Sequence, residues 1–146
     1  MNSGYQLRNA ASRQRLRQLL ARLRPEDYQR TVRGEWTVGA LLAHVAFWDD
    51  SCVVRWQEFD RKGAFTSLSI EVVDLVNDAS LPTWRALPGS DVADLVTRSA
   101  AAADARTETL GEAALDYVTK TGRDFILDRS THRNEHLDEI EALLAG

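Results

Sequence analysis

The feature that most limits the fold of this chain is a stripe of large apolar residues in the segment 38–61. They recur every three or four positions: Val38, Leu41, Leu42, Val45, Trp48, Cys52, Trp56 and Phe59. This spacing places them along one face of an α-helix that begins after Thr37, a good N-cap. Ala40, Ala43 and Phe47 add apolar surface outside the stripe. We therefore expect this helix to lie at the centre of a helical fold or against a partner subunit.

Three further segments have helical periodicity. The first spans about 6–24 and stops before Pro25, which cannot continue a helix. The next spans about 90–110, and the last begins between 122 and 130 and ends at 146. Strand signals are few. The sequence therefore predicts an all-α fold, a four-helix bundle that forms a single domain over residues 1–146.

The connections between these helices have weaker signals. Ser69 is a good N-cap for a short extra helix, whereas Pro82 and Pro88 make the stretch after it rich in turns. Residues 113–119 lie in another connection, where the run around Val118 favours extended structure and can form a strand. We expect short extra helices in the connections and no substantial sheet.

The chain has three histidines, and all three lie where one metal ion can use them. His132 and His136 are four positions apart, so their rings leave the same face of the last helix. His44 lies on the flank of the apolar stripe. A histidine that faces a core needs a partner, because an unpaired polar group there costs about 1–3 kcal/mol. One shared ion would satisfy all three rings; three separately hydrogen-bonded histidines are the alternative.

Three neutral imidazoles with one open position are typical of a catalytic divalent metal site. The sequence therefore predicts that His44, His132 and His136 are the ligands of one ion. We expect this ion to be Zn²⁺, with Ni²⁺ or another transition metal as the alternative.

Three other side chains near these histidines can carry chemistry. Asp49 is an acid within the apolar stripe; we favour an ion pair with an arginine of the first helix over a role in fixing a histidine tautomer. Glu135 adjoins His136 but leaves the helix about 100° away, so we do not expect it to bind the ion. Cys52 is expected in the core rather than as a ligand or nucleophile.

The charge balance argues against nucleic acid as a partner, since the net charge is −4. The charge is uneven: residues 1–25 hold six arginines and no acid. Such a basic helix can bind a membrane surface or nucleic acid. We favour the simpler interpretation that these arginines cover the outer face of a bundle helix.

The sequence shows no run of about 18 apolar residues, the length that a membrane span needs, and its first residues lack the apolar core of a signal peptide. Its single cysteine excludes an internal disulfide and fits a reducing compartment. We therefore expect a cytoplasmic protein with no membrane partner.

The run His132-Arg-Asn-Glu-His136 matches the H-x-x-E-H signature of inverzincin metalloproteases. Those enzymes take a third metal ligand from well downstream, whereas ten residues follow His136 here. We therefore do not expect a protease.

The order of these motifs resembles a known family. Trp36 directly precedes the helix that carries His44, and the His132-x-x-x-His136 pair follows near the end of the chain. This combination, with the stretch 76–88 between them, resembles the DinB/YfiT-like metalloenzyme superfamily over nearly the whole chain.

The resemblance implies an up-down-down-up four-helix bundle that is often dimeric. It implies a three-histidine divalent metal site, carried here by His44, His132 and His136. Characterised relatives include thiol-dependent S-transferases and the mycothiol-dependent maleylpyruvate isomerase. The resemblance therefore also implies a small-molecule substrate, with a low-molecular-weight thiol as co-substrate.

Our first functional interpretation is a thiol-dependent S-transferase that acts on small electrophiles. One alternative is a metal-dependent hydrolase in which Asp49 or Glu135 accepts the proton. The other is a metal-dependent protein that binds a small molecule without catalysis. We expect a symmetric homodimer that uses the helix at 38–61 or the helix at 90–110.

Overall fold

The computed structural model describes residues 4–146, which form a helical bundle. The helices are α1 (Tyr5–Arg22), α2 (Val38–Lys62), α3 (Ile70–Ala86), α4 (Gly89–Glu108), α5 (Glu112–Thr121) and α6 (Ser130–Ala145). Short 3₁₀ turns lie at Pro25–Gln29 and Asp124–Ile126, and β1 (Thr31–Arg33) pairs antiparallel with β2 (Trp36–Thr37). The predicted all-α class is confirmed, with short extra helices in the connections.

The ends of the central helices follow from the residues that cap them. Thr37 Oγ1 accepts a hydrogen bond from the Ala40 amide at 3.1 Å and so begins α2. Gly63, with φ of 72°, ends α2 in the left-handed conformation that glycine adopts without strain. Ser69 Oγ accepts a hydrogen bond from the Val72 amide at 3.3 Å and begins α3. The predicted caps at Thr37 and Ser69 are confirmed.

Helices α1, α2, α4 and α6 form the bundle, in which α1 and α2 each pack against both α4 and α6. Three side-chain contacts fix their directions: Tyr5–Thr107, Arg15–Glu141 and Asp60–Arg106. The first sets α1 antiparallel to α4, the second sets α1 parallel to α6, and the third sets α2 parallel to α4. The resulting order is up-down-down-up, as the family resemblance implied. Helices α1 and α2 therefore lie diagonally across the bundle.

The core has two apolar halves with a charged layer between them. Leu41, Leu42 and their neighbours form the half at the start of α2, and Cys52 and Trp56 belong to the half at its end. Between them lies Asp49, whose side chain is fully buried. This layer positions the functional site described below.

Two connections differ from the prediction. Helix α3 continues through Pro82 to Ala86, because proline removes a single backbone hydrogen bond and buried Trp84 anchors the last turn. Residues 112–121 form a helix rather than a strand. Ala114 and Val118 lie one turn apart and pack into the second apolar half, and this packing overrides the extended preference of the local sequence.

The positive charges of α1 are paired with carboxylates of the same chain. Its arginines pair with acids of α4, α6 and the residues just before α6: Arg8–Asp128, Arg13–Asp104, Arg15–Asp138, Arg15–Glu141 and Arg22–Glu141. These pairs agree with the interpretation of α1 as an ordinary bundle helix. None of the helices within residues 4–146 combines the length and the apolar character of a membrane span.

The apolar residues outside the stripe of α2 are mostly covered within the chain. Ala40 and Ala43 are buried, because α2 packs on α3, α4 and α6 together. Of the two alternatives considered for this helix, the central position accounts for these two alanines, which are therefore not available to a partner subunit. Phe47 does remain 38% exposed.

Gly89 begins α4 in close contact with Tyr28, and we predict that it tolerates no side chain. A Cβ atom there would lie 2.7 Å from Cγ of the buried Tyr28 ring, so the ring would have to move. Gly89→Ala should lower the free energy of unfolding by about 1–3 kcal/mol in urea denaturation.

The control is Gly111→Ala, where an added Cβ meets no described atom within 4 Å. We expect a change below about 1 kcal/mol for this N-cap position. Equal effects of the two substitutions would show that Gly89 does not lie tightly against Tyr28.

Candidate metal centre

The antiparallel helices α2 and α6 bring the three histidines together. Nε2 of His44 lies 3.1 Å from Nε2 of His132. One candidate ligand atom from each of His44, His132 and His136 lies within 4.8 Å of the other two. An ion bonded to all three would hold these nitrogens roughly 3–3.5 Å apart. The cluster is therefore close to the geometry of a shared ion, although slightly open.

Two tryptophans enclose His44. The hairpin places Trp36 with its ring centroid 5.3 Å from that of His44, and α3 places Trp84 at 5.5 Å. His44 Nδ1 is buried and makes no hydrogen bond to any of residues 4–146. Burial lowers the pKa of His44 to about 4, and the charge of His136 adds to this effect. The ring is therefore neutral near pH 7.

His132 is neutral for a related reason. Burial lowers the pKa of His132 to about 2, and the positive charge of Arg129 lowers it further. A histidine binds a metal ion only in its neutral form, so a low pKa removes competition from protons. Two of the three rings are thus in the neutral form that metal binding requires, well below pH 7.

His136 has the partner that a metal ligand usually has. Its Nδ1 lies 2.8 Å from Glu139 Oε1, and Glu139 also accepts a hydrogen bond from Arg33 at 2.8 Å. A hydrogen bond from Nδ1–H to the carboxylate keeps the ring's proton on Nδ1, so Nε2 is unprotonated and the ring is held in one orientation. Sequence reasoning missed Glu139, although its position three residues after His136 on one helix was a usable signal.

Arg129 makes an unusual contact with His132. Its Nη2 lies 3.2 Å from His132 Nδ1, and because a guanidinium can only donate, this ring nitrogen accepts. A neutral imidazole carries a single proton, so when Nδ1 accepts, the proton lies on Nε2, which faces His44 Nε2. Coordination through His132 Nε2 therefore requires that proton to move to Nδ1, with loss of the Arg129 contact, or to leave the ring.

Asp49 acts through Arg129. Its carboxylate accepts hydrogen bonds from Arg129 Nε at 2.8 Å and from Arg133 Nε at 3.0 Å. The predicted ion pair with an arginine is thus present, but the arginines come from the connection before α6 and from α6 itself. The expectation that this arginine comes from α1 is wrong, because α1 lies diagonally across the bundle from α2. The second role considered, control of a histidine, is exerted indirectly through the contact between Arg129 and His132.

The histidine cluster borders a cavity of about 660 Å³ between α2, α3 and the start of α6. Its lining includes His44, Trp48, Ser51, Cys52, Arg55, Leu68, Ile70, Val73, Asp74, Asn77, Arg123, Phe125, Arg129, His132 and Glu135. Trp48 Nε1 donates to Asn77 Oδ1 at 2.8 Å, which fixes one wall. A cavity of this size accommodates a small molecule in contact with two of the three histidines.

The remaining candidates have clear positions. Glu135 is exposed on the cavity lining and is not among the residues that can share the ion. Cys52 is buried in the second apolar half, and burial raises the pKa of its thiol. It therefore stays protonated near pH 7, as expected of a core cysteine.

The residues present fit a divalent ion. The three imidazoles lie so close together that either a shared ion or hydrogen bonds between the rings must pair their nitrogens. Hydrogen bonds do not pair all of them, because Nδ1 of His44 has no partner among the described residues. Imidazole nitrogens suit zinc, nickel and copper. The structure thus places His44, His132 and His136 together as the sequence predicted, and their role as ligands stays a prediction.

Comparison with known proteins identifies the family. A family model described as the DinB superfamily matches residues 8–140, which is most of the chain. The chain therefore belongs to the DinB superfamily, and the resemblance seen in the sequence is confirmed. Neither the curated proteins nor the solved structures gave a significant match.

Asp49→Asn should weaken both the fold and the metal centre. The substitution leaves Arg129 without its carboxylate partner in a buried position, and breaking such a pair costs about 3–5 kcal/mol. Urea denaturation should show this loss. Calorimetric titration with Zn²⁺ should show weaker binding, because the charged layer would no longer hold α2 against α6, where the three histidines meet.

Asp50→Asn provides the matched control, since Asp50 is the exposed neighbour on the same helix. It should change the free energy of unfolding by no more than about 0.5 kcal/mol. If Asp49→Asn were equally mild, the charged layer would not hold the metal centre in place.

Proposed function

We propose that this member of the DinB superfamily is a divalent-metal-dependent S-transferase that joins a low-molecular-weight thiol to a small electrophile. The observation that carries the proposal is a cluster of three histidines beside a cavity large enough for a small molecule. Membership in the superfamily supports a metal-dependent protein.

His44, His132 and His136 would hold the ion. A divalent ion with neutral ligands keeps its full charge, so it lowers the pKa of a thiol or water bound to it. We expect Zn²⁺, with Ni²⁺ as the alternative, because both accept imidazole ligands.

The chain does not supply a reactive thiol of its own, which supports an external one. Cys52 is the single cysteine, and burial raises the pKa of its thiol. In the proposed reaction the external thiol loses its proton to solvent water, and its sulfur forms a bond to the electrophilic carbon. The leaving group departs with the electron pair of the bond that breaks.

The cavity walls have two tasks in this proposal. Apolar side chains such as Val73 and Phe125 limit the access of water to the reacting groups. Trp48 is held by its hydrogen bond to Asn77 and forms a rigid wall one helical turn from His44. These residues therefore govern which small molecule binds, separately from the metal ligands.

A metal-dependent hydrolase is the second candidate, and Glu135 is the observation that favours it. Its carboxylate borders the cavity next to His132 and is exposed, so it can accept a proton from water. Asp49 cannot take this role, since it is fully buried and bound by two arginines. Binding of a small molecule without catalysis is the third candidate and predicts metal-dependent binding without turnover.

Substitution of the ligands should separate metal binding from substrate binding. In calorimetric titration of demetallated protein with Zn²⁺ and Ni²⁺, His44→Ala and His136→Ala should each lose about 100-fold or more in affinity, since each removes one of three ligands. Trp48→Ala should bind metal like the wild type but raise the KM for thiol consumption with an electrophile such as 1-chloro-2,4-dinitrobenzene.

Two results would overturn parts of this proposal. Wild-type metal affinity in His44→Ala would exclude the three-histidine site and the enzyme built on it. Metal-dependent ester hydrolysis that is lost in Glu135→Gln, with no thiol consumption by the wild type, would favour the hydrolase.

We also propose that the protein forms a symmetric homodimer. Large apolar side chains of α2 and α3 are exposed on the single chain: Phe47, Val54, Ile70, Val72 and Leu75. We call these residues the α2–α3 patch. Phe47 and Val54 also line a groove between the two helices, together with Leu68 and Val76. An apolar surface of this kind is stabilised when a second copy covers it.

Val54→Glu should therefore shift the protein towards monomer, because Val54 is 59% exposed within the α2–α3 patch and a charge there resists burial. Analytical ultracentrifugation at micromolar concentration should show dimer for the wild type and for Gln57→Glu, an exposed position one turn along the same helix. A monomeric wild type would contradict the proposed assembly.

A further inference from the structure

Arg55 is a buried cation without a partner in the part of the chain that the structure describes. It is 8% exposed, yet it forms no ion pair and donates no side-chain hydrogen bond within residues 4–146. Glu58, nearly one turn along α2, is bound instead to the amide and hydroxyl of Thr66. None of the Arg55 nitrogens is completely buried, so the guanidinium is largely covered by protein but open on one side, where an anion can reach it.

Arg55 lies on the lining of the cavity that also reaches His44. Its guanidinium carbon lies 5.6 Å from the centroid of the Phe125 ring, a cation–π contact that holds the side chain in place. Such a contact orients the group but leaves its hydrogen-bond donors unused. A guanidinium held in this way is prepared to bind a ligand.

The surroundings of Arg55 are positively charged. Arg123 lines the same cavity and likewise has no ion-pair partner in the described part of the chain. Burial lowers the pKa of Arg55, and the charges of Arg129 and Arg123 lower it further, whereas the charge of Glu58 opposes them; a guanidinium remains protonated near pH 7. Arg129 is already bound to Asp49, so the unused positive charge belongs to Arg55 and Arg123.

The acids of the cavity do not cancel this charge. Asp74 and Glu135 line it, but both are exposed, and neither lies within ion-pair distance of Arg55 or Arg123. The interior of the cavity therefore presents two guanidinium groups without a carboxylate to match them.

We propose that Arg55 and Arg123 form an oxyanion subsite that binds the carboxylate of a small substrate whose other end reaches the histidine cluster. A guanidinium can hold a planar carboxylate through two parallel hydrogen bonds. The subsite deepens the proposed function, since it names an anionic molecule as the class of thiol or electrophile that the cavity takes.

The position of Arg55 also limits the shape of the ligand. His44 and Arg55 lie on the same face of α2, separated by about three helical turns or roughly 16 Å along the axis. The Arg55 side chain leans towards the start of α2 and shortens this backbone separation, so a ligand with roughly six to eight bonds between its carboxylate and the atom that reaches the histidines is long enough.

Binding to demetallated full-length protein tests the subsite independently of any metal chemistry. Calorimetry with hexanoate and with hexan-1-ol compares a carboxylate with a neutral molecule of equal chain length. We expect the wild type to bind hexanoate with about tenfold or more higher affinity than hexan-1-ol, because a hydrogen bond to a charged group contributes that much to binding. Arg55→Met should abolish this preference, whereas Arg61→Met, which removes the same charge from an exposed position of α2, should retain it.

Thermal melts separate binding from a structural role. Because Arg55 is buried without a partner, Arg55→Met should leave the Tm of ligand-free protein unchanged or raise it, and Arg55→Lys should keep part of the preference for hexanoate. A lower Tm in Arg55→Met with an unchanged preference for hexanoate would overturn the proposal.

A second titration distinguishes failure of the subsite from failure of the metal centre. Cobalt-loaded protein is mixed with 6-mercaptohexanoate or 6-mercaptohexan-1-ol, and the thiolate-to-cobalt absorption band reports binding at the metal. A band that forms equally with both thiols and in Arg55→Met would refute the subsite and leave the metal function standing. No band with either thiol, beside a preserved preference for hexanoate, would support the subsite and refute the thiol function.

Discussion

The arrangement of this bundle depends on the ion pairs between the buried carboxylate of Asp49 and two arginines. It lies between the guanidinium groups of Arg129 and Arg133, and Arg133 continues to Asp104 on α4 and to Ser12 on α1. All four bundle helices or their immediate flanks thus meet in one charged layer, with apolar residues on both sides. Such groups are costly to bury and more costly to leave unpaired, so the layer favours the alignment of the helices in which each of them has its partner.

That alignment in turn places the histidines. His44 lies on α2 little more than one turn before Asp49, and His132 and His136 lie on α6 beside the two arginines that Asp49 binds. A slip of α2 against α6 by one turn, about 5.4 Å, would separate the rings beyond the reach of a shared ion. Arg129 joins the layer to the cluster directly, because one guanidinium contacts both Asp49 and His132.

Much of this could be predicted from the sequence, where the cause is local. Apolar periodicity located the bundle helices. Thr37 marked the start of α2 and Ser69 that of α3, and the spacing of His132 and His136 showed that they share one face. The partners of Asp49 could not be predicted, since the order of helices around a bundle is a tertiary property. Arg133 and Arg55 were missed because a charged residue beside a stripe is usually solvated, and burial is not visible in one sequence.

The central claim is that His44, His132 and His136 bind one divalent ion in a member of the DinB superfamily. X-ray absorption at the zinc edge of zinc-loaded full-length protein counts imidazole ligands directly. The structure leads us to expect three imidazole nitrogens at about 2.0–2.1 Å, and two in His44→Ala. Fewer than three in the wild type, or the same number in His44→Ala, would contradict the claim.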